Sequence, residues 1–193
     1  MVKINTCVFI SGKGSNLKKL ILNSNNYSFP INIKLIVCNN KNAEGLKFAK
    51  KWSIPYLIFN NNRSLSENKL LVKLKIYRID LILLAGYMKI LTRRFIRSFR
   101  KPIINIHPSL LPKFKGLNTF EKVLKKKEKK TGCTVHYVTE KLDDGRIILK
   151  KFFYIDKKDN IASLKKKTQI LEYNAFSEAV IKAVKQVTYQ KRN

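Results

Sequence analysis

The chain has 193 residues, 45% of them hydrophobic and 10% aromatic, which is enough apolar material for one well-buried domain. Its 41 Lys and Arg against 12 Asp and Glu give a formal net charge of +29. No stretch reaches the ~20 uninterrupted apolar residues of a membrane span, and the N-terminus lacks the apolar core and cleavage site of a signal peptide. The three scattered cysteines, Cys7, Cys38 and Cys133, have no metal-ligand spacing and suit a reducing cytoplasm. The basic clusters lie in predicted helices without regularly interleaved aromatics. With abundant Lys, Asn and Ile, the charge reads as composition spread over solvated faces rather than as a nucleic-acid footprint.

In chain order, apolar runs alternate with helical patterns. "TCVFIS" reads as a buried strand, broken by "GKG", before the helical "SNLKKLILN". "IKLIVCN" is a second strand and "NAEGLKFAKKW" a helix; "IPYLIF" is a third strand, followed by the helical "SENKLLVKLKIYR". "IDLILLAG" is almost entirely apolar, as a strand covered on both faces should be. A short helix near "TRRFIRSF" leads to the strand "PIINIH". Beyond Pro112 the rhythm changes to a helix, "NTFEKVLKKKEKK", and two strands joined through "KLDDG". A final helix of at least three turns starts near Asn160. The expectation is an α/β protein with a mostly parallel, doubly wound sheet and an appended antiparallel C-terminal half. Residues 1–193 are read as a single domain, with an N-terminal half of about 1–100 and a C-terminal half of about 101–187.

Ligands in such sheets bind beyond the carboxyl ends of the strands, where three features fall. "SGKGSN" (Ser11–Asn16) joins the first strand to the first helix. It is either a plain tight turn or a cradle offering helix N–H groups to an anion. It has neither dinucleotide nor Walker glycine spacing. Asn105 and His107, two residues apart, share one strand face near its end. They are either a structural pair or an amide able to stabilise an oxyanion beside an imidazole able to carry a proton. Asp143 and Asp144 precede Gly145 in what is, taken alone, an ordinary hairpin turn. A carboxylate there, if near His107, would stabilise the imidazolium and raise its pKa. His136, within a strand, reads as structural, and no His/Asp/Glu cluster completes a metal site.

"SGKGSNL", "LAGYMKIL", "NIHPSLLP" and "LDDG", in this order and spacing, resemble the phosphoribosylglycinamide formyltransferases, the folate-dependent enzymes of purine synthesis. The resemblance runs from about Val2 to about Lys185; "NIHPSLLP" alone marks the wider formyltransferase superfamily. It implies a Rossmann-like cytoplasmic transferase moving a formyl group from 10-formyltetrahydrofolate to the amine of glycinamide ribonucleotide, without a metal. The implied catalytic residues are Asn105, His107 and Asp143. Substrate binding falls to Gly14, Ser15, Asn16 and Glu172. Folate binding falls to Arg63, to Met88, Lys89, Ile90 and Leu91, to Asn105, and to Thr139, Glu140, Lys141, Leu142 and Asp143. The implied partners are these small molecules alone, with no specific nucleic acid and no membrane, for a monomer or homodimer. Lys13, Asn118 and Phe120 depart from the family's usual residues. A methionyl-tRNA formyltransferase is the competing enzyme, but that family adds a C-terminal tRNA domain for which the sequence leaves no room. A nucleic-acid-binding module without turnover is the alternative outside catalysis.

Overall fold

A computed structural model describes residues 3–59 and 64–190. The chain divides into two compact units, Met1–Ile104 and Asn105–Asn193. The boundary falls inside a strand, so the first unit closes on Ile103 and Ile104 and the second opens on Asn105.

In the first unit the elements are β1 (Ile4–Ile10), α1 (Ser15–Ser24), β2 (Ile31–Cys38), α2 (Leu46–Lys51), β3 (Tyr56–Ile58), α3 (Ser64–Ile76), β4 (Leu81–Leu84) and α4 (Arg93–Phe99), leading to β5 (Ile103–His107). Its strands lie in the order β3-β2-β1-β4-β5. β1 pairs in parallel with both β2 and β4, and β2 in parallel with β3. All four residues of β4 are buried, which explains why its sequence shows no polar alternation. α4 starts where the Thr92 hydroxyl accepts from the Phe95 N–H at 3.0 Å and ends at Arg100 in the left-handed region.

The second unit continues from β5 through α5 (Thr119–Lys125), β6 (Lys130–Tyr137) and β7 (Ile147–Tyr154) to α6 (Ile161–Gln190). Here the strand order is β5-β6-β7, with β6 and β7 antiparallel as the short connection requires. The sheet is therefore mixed, parallel in the first unit and antiparallel at its C-terminal end. α5 is shorter than the apolar spacing predicts. Lys127 takes a left-handed φ of 49°, turning the chain so that Lys130 already belongs to β6. α6 opens with a capping box, in which the Asn160 side chain accepts from the Ser163 N–H and the Ser163 hydroxyl from the Asn160 N–H.

Among the described residues, no helix is long and apolar enough to cross a membrane. All three cysteines are free and buried.

Gly132 sets how closely β6 and β7 approach, because a Cβ there would lie 2.0 Å from the Lys151 carbonyl oxygen and 2.7 Å from the Phe152 Cα. These are backbone atoms and cannot rotate aside. Gly132→Ala should therefore lower unfolding stability by about 1–3 kcal/mol, the usual cost of overpacking. An unchanged midpoint in urea denaturation would contradict this packing.

Candidate active site

In the first unit, the glycine loop and the segment after β4 are built against each other. Gly14 caps α1 with a left-handed φ of 70°, and a Cβ on it would lie 2.6 Å from the Gly45 Cα. The Gly45 N–H donates to the Gly12 carbonyl at 2.9 Å. The loop is thus closed by backbone alone and brings Ser15 and Asn16 to the first turn of α1. The Ser11 hydroxyl accepts from the Met88 N–H at 2.7 Å, tying the strand end to residues 86–91. Leu91 is buried there, while Met88 and Ile90 are 68% and 70% exposed, leaving apolar side chains available to a flat ligand. Arg63 lies outside the described residues.

In the second unit, four segments converge on one carboxylate. Asn105 and His107 stand on the same face at the end of β5, as their spacing predicts, and His107 is 5% exposed. Asp143, held at a left-handed φ of 46° in the β6–β7 turn, places Oδ2 3.3 Å from His107 Nδ1 and accepts from the Gly116 N–H at 2.9 Å. Asp143 Oδ1 lies 3.5 Å from both Asn105 Nδ2 and His136 Nε2. His136 Nε2 is itself 3.2 Å from Asn105 Nδ2, and its Nδ1 faces the Tyr137 carbonyl at 2.9 Å. In a neutral ring this carbonyl claims the hydrogen on Nδ1, so Nε2 is an acceptor that orients the Asn105 amide. The strand reading of His136 holds, since it is 2% exposed, but the residue also touches two of the three candidate catalytic side chains. Sequence carries no sign of that contact, because it depends on β6 lying beside β5.

The loop between β5 and α5 is fixed by the same groups. His107 Nε2 lies 2.9 Å from the Phe114 carbonyl, and the Ser109 hydroxyl donates to the Lys113 carbonyl at 2.7 Å. Lys115 pairs with Asp144, whose carboxyl is held below its usual range by that ion pair. Asn118 caps α5 at a φ of 57°, and Phe120 packs with Val123 and Leu164 in an apolar cluster. The two departures from the family pattern thus serve a helix start and a core contact.

Burial pulls the His107 pKa below its usual 6.5, against the opposing pull of the Phe114 carbonyl and Asp143. Asp143 does raise the pKa, as a carboxylate beside the ring should, but desolvation is the larger effect. Burial pushes Asp143 upward, yet His136, the Gly116 N–H and the neighbouring His107 ring more than offset it, so its carboxyl stays below the usual range. A neutral His107 has one hydrogen for two acceptors; the protonated ring satisfies both.

Of the remaining predicted residues, Thr139, Glu140, Lys141 and Leu142 form the turn before Asp143, with Leu142 50% exposed. The Thr139 hydroxyl bonds locally to Lys141 at 3.3 Å. Glu172 is half-buried on α6. Burial and the Glu172 charge push the Cys133 thiol up to about 12, which leaves it un-ionised and no nucleophile. Among the described residues, no group of three His, Cys, Asp or Glu side chains could hold a metal ion.

Residues 4–180 match the formyl transferase family. The chain is 38% identical over 174 residues to the phosphoribosylglycinamide formyltransferase of Haemophilus influenzae, covering 88% of this chain and 82% of that protein. It is 36% identical over 182 residues to the bovine trifunctional purine biosynthetic protein adenosine-3, covering 92% of this chain but only 18% of that much longer protein. The crystal structure of the Anaplasma phagocytophilum phosphoribosylglycinamide formyltransferase superposes with a TM-score of 0.86 at 35% identity, over 92% of this chain and 84% of that one. With the family matched over most of its length, this chain belongs to the formyl transferases.

Proposed function

We propose that the protein transfers the formyl group of 10-formyltetrahydrofolate to the amine of glycinamide ribonucleotide, in the cytoplasm, as a monomer or homodimer whose two units act as one domain. The carrying observation is the buried junction of Asn105, His107 and Asp143, a neutral amide and a titratable ring fixed by one carboxylate. The relatives that match along most of their length bear the same activity in their names.

In this reading the amine nitrogen bonds to the formyl carbon, whose oxygen becomes anionic, and the bond from that carbon to the folate nitrogen then breaks. Asn105 Nδ2 donates to the developing oxyanion, exchanging its long 3.5 Å contact with Asp143 for that stronger one while His136 keeps the amide oriented. His107, neutral at rest because of its burial, accepts the proton the amine loses and returns it to the departing folate nitrogen, so the proton count closes. Asp143 keeps the charged ring accessible during that interval. Since the Phe114 carbonyl occupies His107 Nε2, transfer at that nitrogen requires the loop to yield this hydrogen bond. The glycine loop with Gly14, Ser15 and Asn16 is assigned the ribonucleotide phosphate, and Glu172 the amine-bearing end of that substrate. Arg63, residues 88–91 and residues 139–143 are the folate-binding segments in this reading, and the exposed apolar side chains of Met88 and Ile90 in the first unit suit the faces of a flat ring.

Three outcomes check this. Consumption of 10-formyltetrahydrofolate should depend on glycinamide ribonucleotide and not on methionyl-tRNA; formylation of the tRNA alone would overturn the assignment. His107→Ala should reduce kcat/KM by ~10²–10⁴ and Asn105→Ala by ~10²–10³, each with an unchanged circular dichroism spectrum. Near-normal turnover in His107→Ala would remove the proton-transfer role. The rate should rise with pH through a His107 pKa below 6.5 and then level off. In Asp143→Asn the group that raises that pKa is gone, so the rising limb should move to lower pH as the plateau drops. A limb moving to higher pH would contradict the pairing.

A further inference from the structure

The second unit leaves two aromatic rings uncovered. From Lys150 onward β7 alternates exposed and partly buried residues, the pattern of a strand with one face packed and one in water. The packed face carries Phe153, which lies against the Phe120, Val123 and Leu164 cluster. The water face carries Lys150, Phe152 and Tyr154, with Phe152 51% and Tyr154 70% exposed. In register on β6, Lys130 stands opposite Tyr154 and Gly132 opposite Phe152, so the glycine offers no side chain to shelter that ring. The two rings meet edge to face with centroids 5.8 Å apart, and the Lys130 ammonium lies 4.9 Å from the Phe152 centroid. A contiguous exposed apolar patch of this kind marks an interaction surface more often than a scattered surface residue does.

The charge around the rings has one sign. Lys129, Lys157 and Lys158 are exposed at the same end of the hairpin, where the Ile155 N–H donates to the Lys129 carbonyl at 2.9 Å. The acids nearby are already paired, Glu128 with Lys113 at 2.8 Å and Asp156 and Asp159 with Lys167 at 2.9 and 2.8 Å. Lysines on an edge strand also discourage pairing with another strand, which accounts for the charge but not for the uncovered rings. A second copy of the chain would bring the same cations to the face and be repelled. An acidic peptide would meet the cations and leave the ring faces unmatched. A single-stranded nucleic acid satisfies both, with phosphates for the lysines and unstacked bases for the rings. We propose that this face of the β6–β7 hairpin binds single-stranded nucleic acid without sequence preference, its bases stacking on Phe152 and Tyr154 and its phosphates meeting Lys130 and Lys150. Gly132 is four residues of strand, roughly 13 Å, from His136, so the face is separate from the junction around Asp143.

The whole chain carries +29, so attraction for any polyanion is expected and the test must isolate the rings. Fluorescence anisotropy of a labelled twenty-nucleotide oligothymidylate is compared with that of a duplex of the same length. The single strand should bind more tightly at equal salt, although the duplex carries twice the charge, and log Kd should rise with log salt at a slope of about 2–3 for three or four phosphate contacts. Phe152→Leu/Tyr154→Leu, which removes no charge, should weaken single-strand binding roughly tenfold or more and leave duplex binding unchanged. Tyr154→Ser alone, at a side chain mostly in water, should lose part of that affinity. Lys130→Gln/Lys150→Gln should lower the salt slope by about 1.4, whereas Lys69→Gln/Lys73→Gln on α3 of the first unit should leave it as it is. No binding of the single strand, a duplex bound as tightly, an aromatic variant that binds like the wild type, or an equal loss of slope in the α3 control would overturn the proposal. So would a wild-type dimer in sedimentation that Phe152→Leu/Tyr154→Leu turns into a monomer, since a second copy would then occupy the face.

Discussion

The Asp143 carboxylate is the constraint on which the second unit's chemistry depends. One oxygen meets His107 and the Gly116 N–H, while the other faces Asn105 and His136. A strand end, a loop, a neighbouring strand and a hairpin turn are thereby brought to one group. Burying a carboxylate is costly unless its acceptor sites are filled. Here the His107 ring, the Asn105 amide and the Gly116 N–H supply donors, and the left-handed φ of 46° at Asp143 shows that the turn backbone is shaped to deliver it.

Two opposing effects then set the state of His107. Desolvation favours the neutral ring, and the adjacent carboxylate favours the cation; burial wins at rest. A ring kept neutral but flanked by a carboxylate can take up a proton briefly and release it, which is what acyl transfer between two nitrogens requires. Burial likewise keeps the Cys133 thiol un-ionised.

Much of this was legible in the sequence. The alternation of apolar runs and helical patterns predicted the parallel sheet, and the two-residue spacing of Asn105 and His107 placed them on one face. The Asp-Gly turn was readable as a hairpin, but its meeting with His107 came only through resemblance, because sequence does not say how far a turn folds back. His136 stayed hidden for the same reason: strand order, not strand identity, puts it beside Asn105. The net direction of the His107 shift is not legible in sequence, because a motif suggests which charge is near, whereas desolvation depends on everything packed around the ring. α5 was overextended because a left-handed lysine, Lys127, has no signature in its side chain.

The most direct test of this account is an NMR pH titration of the imidazole nitrogens, made tractable because the chain has only two histidines. His107 should titrate below 6.5 and be neutral at pH 7. A His107 that titrates above 6.5 and remains protonated at pH 7 would contradict the claim that burial, rather than Asp143, decides its resting state.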